Sequence, residues 1–141
     1  MPSVHDVAAY ILRHRGPMTA MKLQKLVYYS QAWSLVWDDE PLFPERIEAW
    51  ANGPVVYELY VRHRGVFKVF DWDGDPRAFN DEQQNTIDSV LKFYGKMSSQ
   101  ELSNLTHQEE PWKDARRGMG SGERGNSEIT LSSMAEYYSR L

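Results

Sequence analysis

The chain has no cysteine among its 141 residues, which excludes disulfides, thiolate zinc sites and a thiol nucleophile. It has no apolar run near the roughly 20 residues that a membrane helix needs. The N-terminal MPSVHDVAAYILRHRG places charges and a histidine where a secretory signal requires an unbroken apolar core. A basic surplus is missing too: 16 Lys and Arg stand against 20 Asp and Glu, a net charge of −4, whereas a general nucleic-acid binder leans basic. No HExxH, no Gly-x-Ser-x-Gly elbow and no Walker lysine–serine pair occurs. These absences predict a cytoplasmic protein with no membrane span, no metal, no cofactor and no nucleic-acid partner.

What is present is apolar and aromatic. Hydrophobic residues make up 41% and aromatics 13%, too many for a disordered chain. The length fits one domain over residues 1–141. Ser3 with Asp6 forms a capping box for a first helix, which Gly16 and Pro17 end. Thr19 caps a second, running to about Trp37, with apolar residues around most of its girth, as in a helix buried on most sides. Lys22, Gln24, Lys25 and Gln31 supply its polar edge. The pattern predicts a mainly α domain: about six or seven helices in a compact bundle around this buried helix (residues about 20–37), with a small β element.

The β element lies next. Ile47, Ala49 and Ala51 alternate with polar residues or Trp50, a weak strand signal. In Asn52-Gly53-Pro54 the first two residues suit a hairpin turn, while Pro54 suits the first turn of a helix. The proline favours a helix reaching Gly65. Residues 66–75 read as a short strand or a loop. Asn80 with Gln83 and Ser98 with Glu101 cap two further helices, Pro111 opens a short one, residues 118–126 form a glycine-rich mobile loop, and a last helix runs over 129–141.

Candidate chemistry is sparse. His5, His14, His63 and His107 lack metal-site spacing. His107 is the best placed, because Glu109 and Glu110 follow it closely: a general base in a small hydrolase or transferase is one reading, and a histidine capping carbonyls beside a packed Trp112 is the other. The run DWDGDPRAFNDE begins like a calcium loop, but Pro76 occupies the position of its invariant glycine. Arg116 and Arg117 precede the glycine loop without a Walker motif. Arg13, Arg15, Lys22 and Lys25 form a possible basic stripe for a DNA-binding autoregulator.

Several motifs together carry a resemblance. Lys22 to Tyr29 (KLQKLVYY), the aromatic continuation through Gln31, Ala32 and Trp33, Pro41 to Phe43, Ala49 to Val55 around Trp50, Gly53 and Pro54, and Leu102 to Trp112 with His107 and Pro111 are similar to the Panacea antitoxin domain, the SocA-like or GepA-like phage-associated group. The resemblance covers nearly the whole chain. It implies a mostly helical domain with a small β element, and an antitoxin that binds and neutralises a toxin commonly encoded beside it. It implies no catalytic residues; Lys22, Leu23, Gln24, Lys25, Tyr29 and Trp33 would be mainly structural. A SocA-like member can also deliver its toxin to a protease. Aromatic and arginine anchors are the usual centre of such an interface, so Tyr28, Trp37, Tyr57, Arg116 and Arg117 are the expected partner-binding residues.

Overall fold

A computed structural model describes all 141 residues. Local signals build its helices. α1 (Val4–Arg15) starts at the Ser3–Asp6 capping box and stops at Gly16, whose φ of 92° few side chains tolerate. The side chain of Thr19 caps α2 (Ala20–Trp37) by accepting from the Lys22 N–H. Between them, β1 (Met18–Thr19) pairs antiparallel with β4 (Lys68–Val69). Boxes at Asn80–Gln83 and Ser98–Glu101 begin α4 (Asp81–Tyr94) and α5 (Ser99–His107). Pro111 lies in the first turn of α6 (Glu110–Ala115), and Thr130 caps α7 (Leu131–Tyr138). Seven helices and two small sheets make the fold mainly α. No helix is long and apolar enough to cross a membrane.

α2 packs against α1, α4, α5, α7, β1 and β3 (Gly53–Val56). Leu23, Leu26, Val27, Tyr29 and Ala32 have no exposed surface. Its polar residues correct the expected polar edge: Gln24, Lys25 and Gln31 are all buried. The two glutamines, seven residues apart, lie on one face and clamp backbone. Gln31 Oε1 accepts from the Leu42 and Phe43 N–H groups at 2.7 and 3.3 Å, and its Nε2 donates to the Phe43 carbonyl at 2.8 Å. Gln24 treats Val56 in the same way, accepting from its N–H at 2.9 Å and donating to its carbonyl at 3.2 Å. Each amide supplies the bonds a neighbouring strand would, so the loop at Phe43 and the end of edge strand β3 can be buried against a helix without orphaned groups.

The second correction concerns Pro54. Residues 53–56 are not the start of a helix; they form β3, antiparallel to β2 (Ile47–Trp50), and α3 (Tyr57–His63) begins only afterwards. The strand order is β3-β2-β5, with β5 (Glu128–Ile129) paired to β2, so the proline occupies an edge strand, where a missing N–H is tolerated. The last helix is likewise shorter than expected, because Glu128 and Ile129 belong to β5.

Candidate functional site

The tight β2–β3 hairpin turns through Ala51 and Asn52. Side chains from α2, α5 and α6, and Arg116 at the C-terminal end of α6, hold the carbonyls of this hairpin. Arg116 Nη1 donates to the Ala49 carbonyl at 3.0 Å, Trp112 Nε1 to Trp50 at 2.8 Å, and Ser103 Oγ to Asn52 at 2.7 Å. His107 Nε2 lies 2.9 Å from the Ala51 carbonyl, which only accepts, so that nitrogen carries the proton. From the other side, Lys25 Nζ donates to the Pro54 carbonyl at 3.3 Å. Gly53 sits above this lysine at φ 122°, and a Cβ there would lie 2.6 Å from Lys25 Cε. The two motif blocks around Trp50-Gly53-Pro54 and His107-Pro111-Trp112 are thus halves of one hydrogen-bonded unit.

This geometry disposes of the acid–base arrangement. His107 is engaged with the hairpin and packs edge-on to Trp112, ring centres 4.0 Å apart. Glu109 turns into the core, where Oε1 accepts from the Tyr29 and Tyr138 hydroxyls at 2.7 Å each, and the Tyr28 and Tyr138 hydroxyls lie 2.9 Å apart. Burial raises the Glu109 pKa, and the two tyrosine hydrogen bonds pull it part of the way back. Glu110 pairs with Arg140 at 3.0 Å on the surface. The three side chains do not converge.

The residues expected to hold a partner also divide. Tyr28 is 1% exposed and Arg116 5%, so both are corrected to structural residues: Tyr28 closes the tyrosine cluster, and Arg116 also ties down the glycine-rich segment through the Gly120 and Glu123 carbonyls. Trp37, Tyr57 and Arg117 are exposed, and Arg117 pairs with Asp114. Trp37 stacks on Trp33, whose Nε1 donates to the Tyr94 hydroxyl at 3.0 Å. Trp37 ends α2, whereas Tyr57 follows Val56, which is anchored at Gln24. Thirteen residues of helix, about 20 Å, separate those two levels, so they do not form one patch. The basic stripe breaks up as well: Lys25 is buried, while Arg15 and Lys22 both donate to the Gly95 carbonyl, at 2.8 and 2.7 Å. No group of three metal-ligating side chains comes together, the Asp71–Asp75 turn included.

Beside the held hairpin lies a groove of about 1110 Å³. The first turn of α2, the hairpin turn, α3 and the segment after it, and residues 124–126 enclose it. One wall is aromatic: Tyr60 meets Trp50 edge-on at 4.7 Å, and Arg64 lies over the Tyr60 ring at 5.4 Å. Phe67 and Val66 stand at the rim, 81% and 46% exposed. His63 accepts from the Gln24 amide through Nε2 at 2.9 Å, an orientation that the two Gln24–Val56 bonds fix. It is therefore neutral there, and burial, aided by nearby Lys25, lowers its pKa. Lys25 is fully enclosed and has no carboxylate partner; desolvation pulls its pKa down to about 8. Sequence reasoning missed His63, Arg64, Val66, Phe67 and Arg124 as neighbours of the hairpin. The apolar run VFKVF after Gly65 was the one available signal, and it lies in the stretch with the least motif content.

No curated protein and no solved structure matches the chain. A family model does match, over residues 23–113, more than half of the chain. It is narrower than the near-complete resemblance expected, leaving out α1 and everything beyond Lys113, but it spans the clamping glutamines, the hairpin, the groove's aromatic wall and the carbonyl-holding side chains of α5 and α6. The chain belongs to the SocA-like antitoxin family, defined by the Panacea domain.

Proposed function

We propose that this protein is the antitoxin of a toxin–antitoxin pair and neutralises a cognate toxin, encoded by the neighbouring gene, by binding it directly. The match to an antitoxin family over residues 23–113, which include the hairpin and the groove's aromatic wall, carries the reading. The internal chemistry supports a binding module with no reaction of its own, because the polar side chains of the motifs are spent on the fold. His107, Ser103 and Trp112 hold backbone carbonyls, and Glu109 is shared by tyrosines. What remains free is surface, with Phe67 and Phe70 81% and 67% exposed. Exposed aromatics of this kind are common anchors at protein interfaces.

Co-expression with the product of the neighbouring reading frame tests the reading. Growth arrested by that product should recover when this protein is present, and the two should co-purify. Persistent arrest in cells that contain abundant folded protein overturns the proposal. So does a turnover by this protein that one polar substitution abolishes.

A further inference from the structure

We infer that the groove beside the hairpin receives an acidic, aromatic- or apolar-bearing segment of the bound protein; this rests on the antitoxin reading for the identity of that protein. The first argument is charge. In a chain with 20 acidic and 16 basic residues, the groove is lined by Lys25, Arg64 and Arg124 and by no aspartate or glutamate. None of these three cations takes part in any of the protein's ion pairs. Lys25 is held under the floor with one carbonyl as its partner. The first turn of α2 also lines the groove, and the N-terminal end of a helix carries partial positive charge. Walls of low dielectric concentrate such a field on whatever enters.

The second argument is shape. At about 1110 Å³ the groove exceeds the roughly 300–1,000 Å³ typical of small-molecule sites. Its rim offers Phe67, Val66 and Met21, all exposed, against an inner wall of Trp50 and Tyr60. A nucleotide would leave that rim uncovered. A polypeptide segment that presents carboxylates to the arginines and an apolar side chain to the rim satisfies both features.

The test uses the full chain and two independent readouts. In the first, a labelled glutamate–tyrosine copolymer is titrated and followed by fluorescence anisotropy, with a lysine–tyrosine copolymer and ATP as comparisons. The acidic copolymer should bind. Binding should weaken about tenfold or more in Arg64→Glu/Arg124→Glu and fall as salt rises, with a cooperative thermal melt showing that the variant remains folded although it loses the Arg64–Tyr60 contact. Phe67→Ala, at a side chain in solvent, should also weaken binding without moving the melt. Failure to bind, binding indifferent to both variants, or preference for ATP overturns the inference. In the second readout, wild type and the double variant are each co-expressed with the neighbouring product. Rescue by wild type alone places the toxin in the groove. Rescue by both overturns the groove assignment and leaves the antitoxin reading intact. Rescue by neither, with the acidic copolymer still bound by wild type, overturns the antitoxin reading and leaves a groove for acidic polypeptide.

Discussion

Replacing Lys25 by methionine should remove a gain in stability that the wild type makes between about pH 8 and 10.5, leaving the variant the more sensitive of the two to alkaline pH. Folding moves the Lys25 ammonium from water to a site where its only partner is the Pro54 carbonyl, and its pKa drops from 10.5 to about 8. At about 1.4 kcal/mol per pKa unit, the charged form is penalised by about 3 kcal/mol. Below pH 8 both folded and unfolded chains hold the proton, so the penalty is present in full. Between about 8 and 10.5 the unfolded chain keeps a proton that the native protein has released, so unfolding free energy rises with pH. Above 10.5 both forms are neutral and the penalty is gone. Burial raises the Tyr28, Tyr29 and Tyr138 pKa values, which acts in the opposite direction at high pH, but equally in both proteins. The quantity to read is therefore the difference between wild type and Lys25→Met. At pH 7 the variant escapes the ~3 kcal/mol penalty and leaves the Pro54 carbonyl unpaired at a cost of about 1–3 kcal/mol, so it should be about as stable as wild type or somewhat more. As pH climbs towards 10, wild type should gain on it by up to about 3 kcal/mol. Urea unfolding followed by tryptophan fluorescence measures this. Stabilities that run parallel across that range would refute the reasoning and put the ammonium in contact with water.

The remaining predictions concern the held hairpin and the tyrosine cluster. Gly53→Ala forces a side chain into φ 122° and onto Lys25 Cε; it should cost about 1–3 kcal/mol, read as a lower melting temperature. His107→Ala should lose about 1–3 kcal/mol by orphaning the Ala51 carbonyl, and His107→Gln, whose amide can donate from a similar position, should recover most of it in denaturant melts. Burial raises the Glu109 pKa above its ordinary 4.5, so the native form binds protons more tightly than the unfolded chain, and stability should decline as pH rises through and above that value. Glu109→Gln should remove that decline in matched unfolding titrations.

Helix ends were legible in the sequence because a cap is a contract between residues three apart. Ser3–Asp6, Thr19, Asn80–Gln83 and Ser98–Glu101 all act where the spacing placed them. The hairpin was not, because Pro54 is acceptable in a strand only when the strand lies at an edge, and edge position is decided by β2 and β5. Gln24, Lys25 and Gln31 looked like a solvated face because their partners, Val56, Pro54 and Phe43, are loop or strand backbone 12 to 32 residues further on. The bland alternative for His107, carbonyl capping beside Trp112, matches its observed position, although the carbonyl belongs to the hairpin and not to its own helix. Of the expected contact residues, Tyr28 and Arg116 fell inside, since aromatic content and charge alone do not tell which side of a surface a residue takes.

The hairpin is gripped by its main chain. Arg116, Trp112, His107, Ser103 and Lys25 hold carbonyl oxygens of Ala49, Trp50, Ala51, Asn52 and Pro54, and a carbonyl is the same whatever side chain its residue bears. Attachment and display are therefore chemically separate at the turn. Asn52, exposed at its tip, can be exchanged for another residue without loosening a single one of those five bonds, so the turn can be re-lettered while its foundations stay put.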